Sequence, residues 1–229
     1  ATYYVTIATT GNASDFGSLS SATGQATGVS NNTRAIFGGG VNPGPTDAMV
    51  YITIASTGDS TTFGTLYTGG TNQMGGCAST TRGVYAGGLI INVIQYVTIA
   101  TTGNSLDFGD LTVARYSLSG LSDSTRGIFG GGQNSAGSSV STIDYITIAS
   151  TGNASSFGNL NTNKQRMGST AGGTRGLFVG GYSTTINDYY NYTTSINIQS
   201  LGNSSLYGYL LSSLAYGDMS ACSNAHGGL

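Results

Sequence analysis

The stretch from Ala114 to Leu160, ARYSLSGLSDSTRGIFGGGQNSAGSSVSTIDYITIASTGNASSFGNL, holds four short runs that read as strands and none that reads as a helix. Ser117–Ser122 is a run of small residues, and Arg126–Phe129 is a hydrophobic run that ends in three glycines. Tyr145–Ile148 alternates along its length, and Phe157 followed by Gly158 places one large aromatic in a fourth run. Alternation with a period of two, and no apolar spacing of three to four, predicts strands. Gly152–Asn153 reads as a turn, because both residues tolerate positive φ.

The same unit recurs along the chain. YVTIATTGNASDFG from Tyr4 returns as YITIASTGDSTTFG from Tyr51, YVTIATTGNSLDFG from Tyr96, YITIASTGNASSFG from Tyr145 and, worn, as SINIQSLGNSSLYG from Ser195. The intervals are 47, 45, 49 and 50 residues. TRGIFGGG from Thr125 likewise returns as TRAIFGGG from Thr33, TRGVYAGG from Thr81 and TRGLFVGG from Thr174. Four short strands repeating at this period describe the blades of an all-β propeller.

The order arginine, hydrophobic strand, Gly-Gly, loop, tyrosine strand, aromatic resembles the kelch repeat over essentially the whole chain. The tryptophan usual after the third kelch strand is missing, since the chain has no Trp, and Phe stands in its neighbourhood. In the kelch frame the chain starts with the third and fourth strands of a blade, at about residues 1–20. It then runs through blades at about 21–64, 65–110, 111–158 and 159–206, and ends in the first and second strands of another at about 207–229. The expectation is therefore a single domain, a five-bladed kelch-like β-propeller of four-stranded blades, closed by a composite blade from the N- and C-termini, which removes free sheet edges. The variant of the repeat in this chain is similar to kelch-type repeats of tailed-phage virion proteins. That resemblance implies a virion-surface or extracellular protein of tail-fibre or decoration type, whose partners are other virion proteins or a host-surface glycan, with further copies of the chain a third expectation. A secreted or cell-surface lectin, matrix propeller or filament subunit is the alternative.

Composition narrows the function. Charged residues are 7% of the 229, with no Glu and one Lys, and the formal net charge is −2. No basic run is present to attract a phosphate backbone, so nucleic acid is not an expected partner. No apolar run has membrane-spanning length. One His, no Glu and scattered Asp leave general acid–base chemistry without its usual groups, and neither a Cys-x-x-Cys nor an Asp-rich calcium loop occurs. The expectation is a protein that is not an enzyme and carries no cofactor or metal. Cys77 and Cys222 read as buried free thiols.

Four of the seven Lys and Arg residues are the arginine of the repeated phrase, Arg34, Arg82, Arg126 and Arg175, and His226 aligns with them in the last copy. Fivefold pseudosymmetry arranges them in a ring. Such a ring could hold an anion, or each guanidinium could tie its blade to a neighbour through loop carbonyls or an Asp such as Asp15 or Asp107. Repetition in every unit favours the structural role.

Binding is expected where the units differ, in the loop after Gly-Gly. Its last copy, residues 182–194, gathers Tyr182, Asn187, Asp188, Tyr189, Tyr190 and Tyr192. Aromatic faces beside carboxamides and a carboxylate suit a sugar ring or a protein surface. The corresponding loop of the second unit holds Leu89, Ile90 and Ile91, a candidate protein contact. A second variable connection, which holds Tyr67, Arg115, Lys164 and Arg166, shows no convergence on one pocket.

Overall fold

A computed structural model of the chain describes residues 1–21, 23–210 and 219–221, and across them the backbone forms strands and turns with no helix. An N-terminal hairpin pairs β1 (Thr2–Tyr4) with β2 (Ser14–Gly17). Blade 1 is β3 (Thr27–Ser30), β4 (Arg34–Gly38), β5 (Ala48–Thr53) and β6 (Thr61–Thr65). Blade 2 is β7 (Gly75–Ala78), β8 (Arg82–Ala86), β9 (Val93–Thr98) and β10 (Leu106–Asp110). Blade 3 is β11 (Ser119–Ser122), β12 (Arg126–Gly130), β13 (Thr142–Thr147) and β14 (Ser155–Asn159). Blade 4 begins with β15 (Gly168–Gly172) and β16 (Arg175–Val179), and a small hairpin follows, β17 (Tyr182–Ser183) and β18 (Asp188–Tyr189). It ends with β19 (Tyr192–Asn197) and β20 (Ser205–Tyr209).

Each blade is an antiparallel sheet in chain order, with the first strands of successive blades side by side at the axis. Antiparallel order puts the loops between strands one and two, and three and four, on one rim. Loops between strands two and three, and from one blade to the next, share the opposite rim. The fifth sheet is described as its outer hairpin, β1–β2. β20 runs to Tyr209, so residues 207–209 belong to blade 4 and not to the composite blade, a correction of the sequence boundary. Residues 211–218 and 222–229, with Cys222 and His226, lie outside the described residues. Met219–Ala221 lies against the axial side of blade 4, with the Met219 N–H donating to the Arg166 carbonyl at 3.4 Å.

The core is a set of seams between blades. One cluster joins Cys77, Val84 and Phe108 of blade 2 to Phe129, Ile146 and Ile148 of blade 3, and similar clusters join blades 1 and 2, and 3 and 4. Burial of each such side chain stabilises the fold by about 1.5–3 kcal/mol. The aromatic of the outer strand gets there through a bulge: in blade 2, Asp107 pairs with Gln95 and Gly109 with Ile94, so Phe108 is left unpaired and turned into the seam. There it meets the tyrosine of the third strand edge-on, with Tyr96–Phe108 centroids 5.9 Å apart. Tyr4–Phe16, Tyr51–Phe63 and Tyr145–Phe157 repeat this geometry.

The repeated Thr-Gly-Asn is more than a turn. The N–H groups of Gly58, Gly103, Gly152 and Gly202 donate at 2.7–2.9 Å to the carbonyls of Phe16, Phe63, Phe108 and Phe157 in the preceding unit. The next side chain, Asp59, Asn104, Asn153 or Asn203, accepts from the N–H of Ser18, Thr65, Asp110 or Asn159, also in the preceding unit. This lock explains the Gly after each aromatic. At Gly109, φ is +145° and a Cβ would overlap the Gly152 carbonyl oxygen. Among the described residues the seam between blade 4 and the N-terminal hairpin lacks the lock: Gly11 and Gly208 face open space, and Tyr207 is 55% exposed.

Candidate functional site

The repeated arginines stand at the start of each second strand, on the rim of the lock. Arg34 Nη1 donates to the carbonyls of Ile99 at 3.1 Å and Ala100 at 2.8 Å, Arg82 to Ile148 at 2.9 Å and Arg126 to Ile198 at 2.8 Å. Each guanidinium lies over the tyrosine of its own third strand, 4.6 Å from Tyr51, 4.6 Å from Tyr96 and 4.8 Å from Tyr145. Ser195 replaces that tyrosine in blade 4, and Arg175 lies instead 5.6 Å from the Tyr207 ring. The acceptors of these three arginines are carbonyls of the next blade; Asp15 accepts from the Gly17 N–H.

The opposite rim carries the variable loops. In blade 4 the loop forms β17–β18, in which Tyr182 pairs with Tyr189, ring centroids 4.9 Å apart, and the Tyr182 hydroxyl donates to Asn187 Oδ1. Asn187 and Asp188 are exposed at the tip beside Ile186, which is 56% exposed, and Tyr189 is 38% exposed. The hairpin is held from the side. Ser139 and Thr184 exchange two hydrogen bonds, backbone N–H to side-chain oxygen in each direction, at 2.7 and 3.1 Å, and Gln165 and Tyr182 exchange two backbone bonds at 2.9 Å.

Tyr190 and Tyr192 belong to a different group. Their rings lie tilted against each other, centroids 5.0 Å apart, over the buried Lys164, whose Nζ lies 4.7 Å from the Tyr192 centroid and 6.0 Å from that of Tyr190. The Tyr192 hydroxyl pairs with Thr162 at 2.7 Å. The six residues read as one site are thus two: Tyr182, Asn187, Asp188 and Tyr189 at the surface, Tyr190 and Tyr192 as a lid on a lysine.

Arg115 and Lys164, which showed no convergence in the sequence, occupy the same place in successive units and are both fully buried. Arg115 Nη2 pairs with Asp144 at 2.7 Å, and its Nη1 donates to the carbonyls of Gly131 at 2.8 Å and Thr142 at 2.7 Å. Lys164 donates to Thr194 Oγ1 at 3.4 Å, and among the described residues no carboxylate pairs with it. Burial pushes its ammonium down to about 8. The apolar loop of blade 2 is a tight turn: the Ile91 N–H bonds the Gly88 carbonyl at 2.9 Å, and both central residues have positive φ, Leu89 at 41° and Ile90 at 62°. Leu89 is 45% and Ile90 43% exposed, while Ile91 is half-buried. Cys77 is a free, buried thiol, held protonated by desolvation.

At the axis, on the same rim as the hairpin, a cavity of about 530 Å³ is bordered by Gln25, Gln73, Ser117 and Arg166, with Met74, Leu118 and Met167 beneath. These polar residues stand at one position of the repeat. Alignment of the units could have found them, but their types differ and no motif marks them.

The chain has an all-β, kelch-like propeller fold, in which the described residues form four four-stranded blades and the outer hairpin of a fifth. It shares this fold with a solved structure described as "Structure of YjhT", at a TM-score of 0.73 and 9% identity, over 87% of this chain and 69% of that one. At that identity the likeness carries the fold alone. No protein-family model matches the sequence, and no curated protein matches it.

Proposed function

We propose that the chain is a non-enzymatic binding module, a rigid propeller that presents the β17–β18 hairpin to a host-surface glycan as part of a virion attachment structure. The hairpin is the observation that carries the binding reading. It places a tyrosine pair, a carboxamide and a carboxylate at an exposed tip, fixed by hydrogen bonds to the neighbouring loop. Tyr supplies contact area at low entropy cost, and Asn and Asp read hydroxyls. The repeats resemble those of tailed-phage virion proteins, which supports a place on a virion, and low charge with abundant Thr, Ser and Asn agrees with an extracellular surface.

A glycan-array screen of the folded chain beside Asn187→Ala/Tyr189→Ala tests this. Binding by the wild type that the variant loses supports the hairpin as the site; a silent array, or unchanged binding by the variant, overturns it. The Leu89–Ile90 turn favours a second reading, a decoration subunit that docks on another particle protein. A β-branched residue at positive φ is strained, and Asn-Gly would make the same turn without strain. Leu89→Asn/Ile90→Gly is then expected to raise thermal stability while abolishing incorporation into the particle.

A further inference from the structure

Four main-chain hydrogen bonds form a collar around the axis. The Gln73 N–H donates to the Gln25 carbonyl at 3.3 Å, Ser117 to Gln73 at 2.8 Å, Arg166 to Ser117 at 3.0 Å and Met219 to Arg166 at 3.4 Å. For this, Gln25, Gln73, Ser117 and Arg166 adopt left-handed φ of 58°, 56°, 55° and 56°. The collar explains the conformation, yet not the residues. Glycine adopts left-handed φ without penalty, any residue with a Cβ does not, and this chain places glycine at the equally recurrent positive-φ pairs Gly87–Gly88 and Gly131–Gly132. Four strained side chains, all polar and of three kinds, stand at the mouth of one cavity. Strained backbone at a cavity mouth is a feature of ligand clamps.

The chemistry of the cavity indicates the ligand. Ser117 Oγ donates to Gln73 Oε1 at 2.8 Å, which leaves the Gln73 amide N–H groups as its donors. Gln25 adds a second carboxamide at the mouth and Arg166 a guanidinium, while Met74, Leu118 and Met167 supply an apolar floor. Polar groups converging over an apolar surface, in about 530 Å³, fit a small ring with hydroxyls at its edge and C–H bonds on its face.

We infer that the axial cavity binds a monosaccharide-sized polyol, clamped by Gln25, Gln73, Ser117 and Arg166. This site is separate from the β17–β18 hairpin and does not depend on it.

Saturation-transfer NMR on the full chain, with glucose, galactose, N-acetylglucosamine and glucuronate as separate probes, tests the inference. Transfer to at least one sugar is expected, and preference for glucuronate over the neutral three would identify a sugar acid. In Gln25→Gly/Gln73→Gly the affinity should fall at least about tenfold, through lost hydrogen bonds. Its thermal midpoint should stay or rise, because glycine keeps the collar without strain. In Asn187→Ala/Tyr189→Ala transfer should persist. No transfer from any of the four sugars, or transfer that survives Gln25→Gly/Gln73→Gly, overturns the proposal. Transfer lost only in the hairpin variant assigns the sugar to the hairpin and overturns it equally.

Discussion

Blades 3 and 4 bury a cation at the same place and neutralise it differently. The third strand of blade 3 offers Asp144, which pairs with Arg115 at 2.7 Å and also accepts from the Thr112 hydroxyl at 2.6 Å. Blade 4 has Thr194 at that strand position, and the loop above folds Tyr190 and Tyr192 over Lys164. An ion pair with further hydrogen bonds compensates desolvation; two ring faces and a hydroxyl do so in part. The difference explains why half of the tyrosine-rich loop is structural: its lower tyrosines stand in for a missing carboxylate.

Removing Asp144 should break the comparison most severely. Asp144→Ala leaves the Arg115 charge buried and unpaired, and urea denaturation should show a loss of about 3–5 kcal/mol. Next comes pH. The folded-state pKa of Lys164, at about 8, is below its ordinary value, so the unfolded chain binds the extra proton between the two. Stability therefore carries its full penalty below pH 8 and rises as pH passes from 8 toward 10.5, by on the order of 3 kcal/mol. Thermal midpoints of wild type against Lys164→Met, which lacks the group, isolate that slope. Lys164→Met itself should be neutral or more stable by about 1–3 kcal/mol at neutral pH. Thr194→Asp should recreate the pair of blade 3 and flatten the rise. The smallest effect belongs to Tyr192→Phe, which keeps the ring over Lys164 and removes the bond to Thr162, about 1 kcal/mol.

Architecture was legible in the chain because packing solutions repeat. The tyrosine strands, the aromatic-Gly pairs and the arginine phrase each occupy one position in a seam that recurs, so their periodicity carries the fold. Thr-Gly-Asn was legible as a turn only. Its N–H and Asx side chain act on the preceding unit about 40 residues away, as Gly103 does on Phe63 and Asn104 on Thr65, and no local pattern expresses that.

The candidate sites were less legible. Tyr182 to Tyr192 stood out by composition, but whether a tyrosine faces solvent or a buried lysine depends on what Lys164 and Thr194 bring from elsewhere in the blade. The axial residues had no signature, because a Gln, a Ser and an Arg become one group only when their units are arranged in a ring.

Alternation, turn residues and a period of 45–50 residues are local quantities, and by themselves they determined an all-β chain of repeated blades and the loops in which it varies. Only the tertiary structure decided that the arginines serve the next blade's carbonyls, that the tyrosine loop divides into a lid and a tip, and that Gln25, Gln73, Ser117 and Arg166 meet at the axis. Those outcomes depend on contacts between units, and the curvature of the ring sets them through the distances between blades.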